Sequence, residues 1–149
     1  MLRAARPDIA ITSDIIVGFP GETDRDFMDT MRLINTVRYD NIFSFMYSPR
    51  PLAAAAGFDG QVPLEVKSER LKVLQAAQME ITNEKSRAFV GKTVEVLVEG
   101  VSKASPDEFF GRASSARAVK FSASSAPPGS LMDVFVTDAY ANSLRGASC

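Results

Sequence analysis

Two hydrophobic periods divide the chain. Up to about residue 90, apolar residues come in short unbroken runs or at helical spacing. Beyond that point they alternate with polar ones. Ile9 to Val17 is nearly continuous apart from Thr12-Ser13-Asp14, the pattern of a strand covered on both faces. It ends in Gly18-Phe19-Pro20-Gly21, a turn into a helix that Thr23 and Asp26 can cap. Phe27, Met31 and Ile34 then recur at helical spacing, giving a face to pack on a sheet. Asn41 to Tyr47 predicts a second strand, so the pair forms a βαβ unit. Ser48-Pro49-Arg50-Pro51 is a loop at the same carboxyl edge. Pro63 opens a long helix to about Ala88. Leu71, Leu74, Ile81 and Phe89 give it an apolar stripe, and Glu65, Lys67, Glu69 and Arg70 a solvated face. After Gly91 the period changes to two. Val94, Val96 and Val98 alternate with Thr93, Glu95 and Glu99, and short strands follow at Gly111-Arg112, Ala118–Phe121 and Leu131–Ala139. This predicts an α/β part over 1–90 and a small all-β barrel or sandwich over 91–149.

Composition narrows the chemistry. The 149 residues contain no histidine and one cysteine, Cys149, so the commonest general base is missing and an internal disulfide is excluded. A lone thiol cannot ligate an iron–sulfur cluster, and the residues suggest neither a catalytic group nor a metal site. Cysteine poverty suits a reducing compartment, and the expected location is cytoplasmic. No signal peptide is evident, and apolar runs such as Ile15-Ile16-Val17 are too short to cross a bilayer. Met1–Arg6 has the composition of a helix's last turn, and Pro7 stops it, so the chain is expected to begin inside a structure. The net charge of -1 gives no global basic field.

Candidate sites are therefore local. The Gly18–Thr23 loop lacks the glycine spacing and lysine of a nucleotide P-loop. It is either a tight turn or a wall for an adenosine-type cofactor, where glycine admits close backbone approach and a helix start offers N–H groups. Asp14, inside an apolar strand, is either a satisfied structural anion or a site-lining group. Arg50, between two prolines, can bind phosphate or carboxylate or form a surface ion pair. From Lys92 onward acids and bases balance, yet Arg112, Arg117 and Lys120 group in the middle with Phe121. A basic face with an aromatic on a small barrel fits single-stranded or looped RNA, and the residues by themselves fit a plain solvated face at least as well.

Several runs, in order, carry a resemblance: Leu2–Ile9, Ser13–Thr23, Phe43–Pro51, Leu97–Gly100, Gly111-Arg112 and Asn142–Gly146. Together they resemble the carboxyl-terminal part of the radical S-adenosylmethionine methylthiotransferases, in particular the tRNA isopentenyladenosine branch. The resemblance implies the last part of a radical-SAM partial (β/α) barrel, followed by an OB-like TRAM β-barrel that grips the tRNA anticodon stem-loop. It implies a cofactor wall at Ser13, Asp14, Val17, Gly18, Ser44 and Tyr47. It implies RNA contacts at Arg50, Lys103, Arg112, Arg117, Lys120, Ser143 and Arg145. In the complete enzyme of that family, S-adenosylmethionine and 4Fe-4S clusters supply the radical, the methyl group and the sulfur. The three-cysteine cluster motif belongs to an amino-terminal portion absent from this chain, which alone should be inert. Two departures stand out. Leu52-Ala53-Ala54 replaces the family's Gly-Thr-Pro, and Ala116 and Lys120 replace asparagines. The rival readings are a stand-alone TRAM-type RNA-binding protein and a methylthiotransferase acting on a ribosomal protein.

Overall fold

In a computed structural model, residues 2–102, 105 and 108–149 are described. The chain divides into two compact units, 11–81 and 82–149 together with 1–10. No helix among the described residues is long and apolar enough to cross a membrane.

The unit 11–81 is a βαβ arrangement. Strand β1 (Thr12–Val17) pairs in parallel with β2 (Asn41–Met46), joined through helix α2 (Asp24–Val37), and helix α3 (Leu64–Arg87) follows; a four-residue helix α1 (Leu2–Ala5) lies ahead of β1. The period of two sorts the sheet into unlike faces. Ile15, Val17, Ile42 and Met46 pack with Phe27, Met31 and Ile34 of α2 and Leu74 and Ile81 of α3. Both helices supply the same core, so only one face of the sheet is covered. The other face carries Asp14, Ile16, Phe43 and Phe45, all exposed. This corrects the expectation of a strand covered on both faces, and with it that of a buried Asp14 carboxylate.

Helix α2 starts where the sequence says it should. Thr23 accepts a hydrogen bond from the Asp26 N–H, and the Asp26 carboxylate accepts from the Thr23 N–H. Hydrogen bonds from Thr23 hold the Asp26 carboxyl below its usual value. The charged run on α3 is not wholly solvated. Lys67 and Arg70 are each 7% exposed, and Gln78, Thr82 and Ser86 are buried too. Side-chain length explains the difference. The aliphatic stems of Lys67 and Arg70 cover apolar surface while their heads reach acceptors in the Gly18–Thr23 turn and at Tyr47.

The second unit is a closed OB-like β-barrel. Its strands are β3 (Thr93–Val101), β4 (Glu108–Ala113), β5 (Ala118–Ser122), β6 (Leu131–Ala139) and β7 (Ser143–Ser148). They close in the order β3-β4-β5-β7-β6, antiparallel throughout except for the parallel pair β5–β7. Val96, Val98, Phe109, Val119, Phe121, Val134, Val136 and Leu144 fill the interior. Two glycines let strands cross closely. A Cβ on Gly111 would lie 2.1 Å from the Leu97 carbonyl oxygen, and one on Gly146 would lie 2.1 Å from that of Phe135.

Among the described non-glycine residues that hold left-handed backbone are Leu52 at φ 71° and Ala116 at φ 61°. These are the positions where the resembling family has glycine and asparagine, the residue types that tolerate this region. Leu52→Gly and Ala116→Asn are each expected to raise stability by up to about 1 kcal/mol. Denaturant midpoints of the two variants check this.

Candidate functional site

Two surfaces carry the candidate residues. The first is on the barrel. In the β4–β5–β7 register, Phe110 lies opposite Lys120, and Lys120 opposite Arg145. Arg112 pairs with Ala118, and Ala118 with Ser143. The alternate residues of each strand point inward, so these rows form one outward face. It carries Arg112, Lys120 and Arg145, edged by the exposed aromatics Phe110 and Tyr140. Glu108, Lys120, Tyr140, Ser143 and Arg145 line a groove of about 330 Å³ in it.

Each arginine has an acidic partner. Arg112 Nε donates to Glu99 Oε1 at 3.0 Å. Arg145 Nη2 donates to Glu108, whose second oxygen accepts from Ser102 Oγ at 2.9 Å. Those two hydrogen bonds, Ser102's above all, hold the Glu108 carboxyl below its ordinary value. Glu108 in turn raises the pKa of Arg145.

Arg117 does not join this face. It is 7% exposed, its Nε donates to Ser86 Oγ at 3.2 Å, and its guanidinium lies 5.1 Å from the Phe89 ring centre. Phe121 is not its aromatic either, being 1% exposed in the barrel core. The aromatics that do face out, Phe110 and Tyr140, escaped sequence reasoning. The signal was strand parity, since Phe109 and Phe121 are cross-strand partners on one side and Phe110 lies on the other. Lys103 lies outside the described residues.

The second surface is the carboxyl edge of β1 and β2. Here the six expected cofactor residues do not share a face. Asp14 is on the open side. Ser13, Val17 and Ser44 are on the helix-covered side, where Val17 is 1% exposed and the Ser44 hydroxyl accepts from Gln75. Tyr47 packs edge-on against Phe19 at 5.2 Å, with Lys67 Nζ 5.1 Å from its ring centre. The Tyr47 hydroxyl is buried without a hydrogen-bond partner among the described residues.

Gly18 is where glycine's freedom is required. Its φ is 71°, and a Cβ would sit 2.3 Å from Lys67 Cγ. The close approach is made by this lysine stem. Several of the loop's N–H donors already have acceptors. Gly18 N–H donates to Glu22 Oε2 at 2.9 Å, Gly21 N–H to the Gly60 carbonyl and Glu22 N–H to the Phe19 carbonyl. Arg70 clamps the turn from α3, donating to Glu22 Oε1 and Asp24 Oδ1, each at 2.7 Å, and to the Glu22 carbonyl. What stays open is the apolar side. Ile16, Phe19, Phe45, Tyr47 and Arg50 line a groove of about 480 Å³, with the exposed Arg50 guanidinium making no hydrogen bond to a described residue.

Residues 87–147 match the TRAM domain family. The whole chain is also similar to curated proteins named tRNA-2-methylthio-N(6)-dimethylallyladenosine synthase. That of Syntrophus aciditrophicus is 48% identical over 145 residues, which are 97% of this chain and 32% of the relative. That of Geobacter metallireducens is 49% identical over 145 residues, 97% and 33% of the two. That of Syntrophobacter fumaroxidans is 46% identical over 145 residues, 97% and 32%. The chain therefore matches the carboxyl-terminal third of these tRNA methylthiotransferases, with the TRAM match in its second half. The donor set agrees with that extent. One exposed cysteine cannot supply the thiolates of a 4Fe-4S cluster, so no step can be assigned to a cluster on this chain's residues.

Proposed function

We propose that the chain is the carboxyl-terminal portion of a cytoplasmic tRNA methylthiotransferase, one that adds a methylthio group to isopentenyladenosine beside the anticodon. Its TRAM barrel binds the anticodon stem-loop through the face of Arg112, Lys120, Ser143 and Arg145. Its β1–β2 unit is the end of a radical-SAM partial barrel. The open face with Asp14 and Ile16 is the part of that unit free to line an S-adenosylmethionine pocket, because the Gly18, Gly21, Glu22 and Thr23 N–H groups already have acceptors in the chain. The observation that carries the RNA reading is the outward row Phe110–Lys120–Arg145 on a TRAM domain. Cations for phosphates stand there beside aromatic rings for bases.

The test is direct binding of an anticodon stem-loop RNA to this chain across a salt series. Binding should weaken steeply as salt rises. Lys120→Ala and Arg112→Ala should each weaken it several-fold, with the salt slope smaller by about 1 for each phosphate no longer neutralised. Absence of binding at low salt rejects the RNA reading. Methylthio transfer should require the amino-terminal portion, whose cysteines would hold the clusters.

A further inference from the structure

Lys120 and Arg145 are directly opposite each other on the parallel pair β5–β7. Like charges so placed oppose the pairing. Nothing in the fold requires two cations there, since both side chains point away from the core. Glu108 resolves the conflict from β4. Its carboxylate takes the Arg145 guanidinium across β5 and is steadied from behind by Ser102. One anion thus sits against two cations at the wall of a groove, with the Tyr140 ring 57% exposed beside it. An arginine with a neighbouring lysine is also a phosphate-binding arrangement, and an exposed ring beside it is a stacking surface. The groove, about 330 Å³, lies at the small end of ligand pockets (~300–1,000 Å³) and suits one unpaired nucleotide better than a duplex.

We propose that this groove is a subsite for a single unpaired nucleotide, in which Glu108 occupies the phosphate position in the free protein and yields it to RNA. The inference rests on the RNA-binding reading and adds a regulation to it. The base stacks on Tyr140. The phosphate takes Arg145 and Lys120 from Glu108, and the carboxylate keeps its Ser102 hydrogen bond. Glu108 thereby sets a threshold. An RNA that offers a phosphate without a stacking base gains little by displacing an anion already in place, so the site discriminates looped RNA from duplex.

The experiment compares an anticodon stem-loop with a duplex RNA of equal length, bound to the full chain, for wild type, Glu108→Gln, Tyr140→Ala and Tyr140→Phe. Glu108→Gln keeps an acceptor for Ser102 while removing the competing charge. It should tighten loop binding at least about three-fold and steepen the salt slope by about 0.7, the increment for one further single-strand phosphate. It should also narrow the preference for loop over duplex. Adding Arg145→Ala should cancel the gain. Tyr140→Ala should weaken loop binding about ten-fold, whereas Tyr140→Phe should bind as wild type does. Thermal melting of each variant establishes folding, and Glu108→Ala carries the same expectation should the glutamine variant misfold. Glu108→Gln binding no tighter than wild type, while Lys120→Ala still weakens binding, overturns this inference and leaves the RNA reading standing. No binding by wild type at low salt overturns both.

Discussion

Gly146→Ala is expected to destabilise the barrel strongly. The new methyl group would lie 2.1 Å from the Phe135 carbonyl oxygen and 2.8 Å from Val134 Cγ1. A flexible side chain can move aside, but here the obstacle is backbone. Gly146 pairs with Val136 on β6 and Phe121 on β5, so the segment is held from both sides. Moving either neighbour breaks ladder bonds in a closed sheet. The cost should reach about 3 kcal/mol, the upper range for overpacking a core. For a unit of this size, that lowers the melting temperature by more than about 12 °C. Gly111→Ala should behave alike, for its Cβ meets the Leu97 carbonyl oxygen at the same 2.1 Å. Gly57→Ala is the control, since nothing lies within 4 Å of that position. Melting followed by circular dichroism decides the matter. A Gly146→Ala chain that melts within a degree or two of wild type would mean that the strands do not cross this closely.

Arg70→Met should be nearly as damaging to the unit 11–81. Arg70 is 8% exposed at its side chain and Glu22 13%, so the pair sits largely out of water. Removing the guanidinium leaves the Glu22 carboxylate facing Gly18 with its charge uncompensated. Breaking one partner of such a pair costs about 3 kcal/mol. The exposed Asp24 adds little to that figure, because water screens its bond to Arg70. Adding Glu22→Gln to Arg70→Met should restore part of the stability, since the buried charge is then gone. Hydrogen exchange at the Gly18 amide reads the local effect. It should quicken markedly in Arg70→Met and less in the double variant. Unchanged exchange would show that the turn holds without its arginine.

The elements were legible in the sequence because each depends on local pattern. The period of 3.6 through Phe27, Met31 and Ile34 located α2, and Thr23 with Asp26 marked its start. The period of two through Val94, Val96 and Val98 located β3 and its inward side. The end of the long helix, at Arg87, lies one residue from where the pattern lapses. What stayed hidden depends on partners distant in sequence. Asp14 looked buried because its neighbours are apolar, but parity assigns it to the face that neither helix covers. Lys67 and Arg70 looked solvated because they are charged, and only the position of the Gly18 turn beside α3 makes them interior. Phe121, expected beside the basic residues, lies in the core and Phe110 faces outward instead, because which side of a strand faces inward is fixed by its register with the next. The motif glycines of Gly111-Arg112 and Arg145-Gly146 are clearer in the structure. In each pair the glycine permits a strand crossing, and the adjoining arginine points outward to the basic face.

The placement of β7 also has a consequence for how the chain acquires its fold. The strand latest in the chain is inserted between β5 and β6, parallel to one and antiparallel to the other. Until it arrives, both neighbours present unsatisfied ladder edges. During synthesis, β3 to β6 can therefore leave the ribosome as an open sheet, but closure must wait for Ser143–Ser148 to emerge. A nascent chain arrested before Ser143 should be readily cleaved by protease, and one extended past Ser148 should resist.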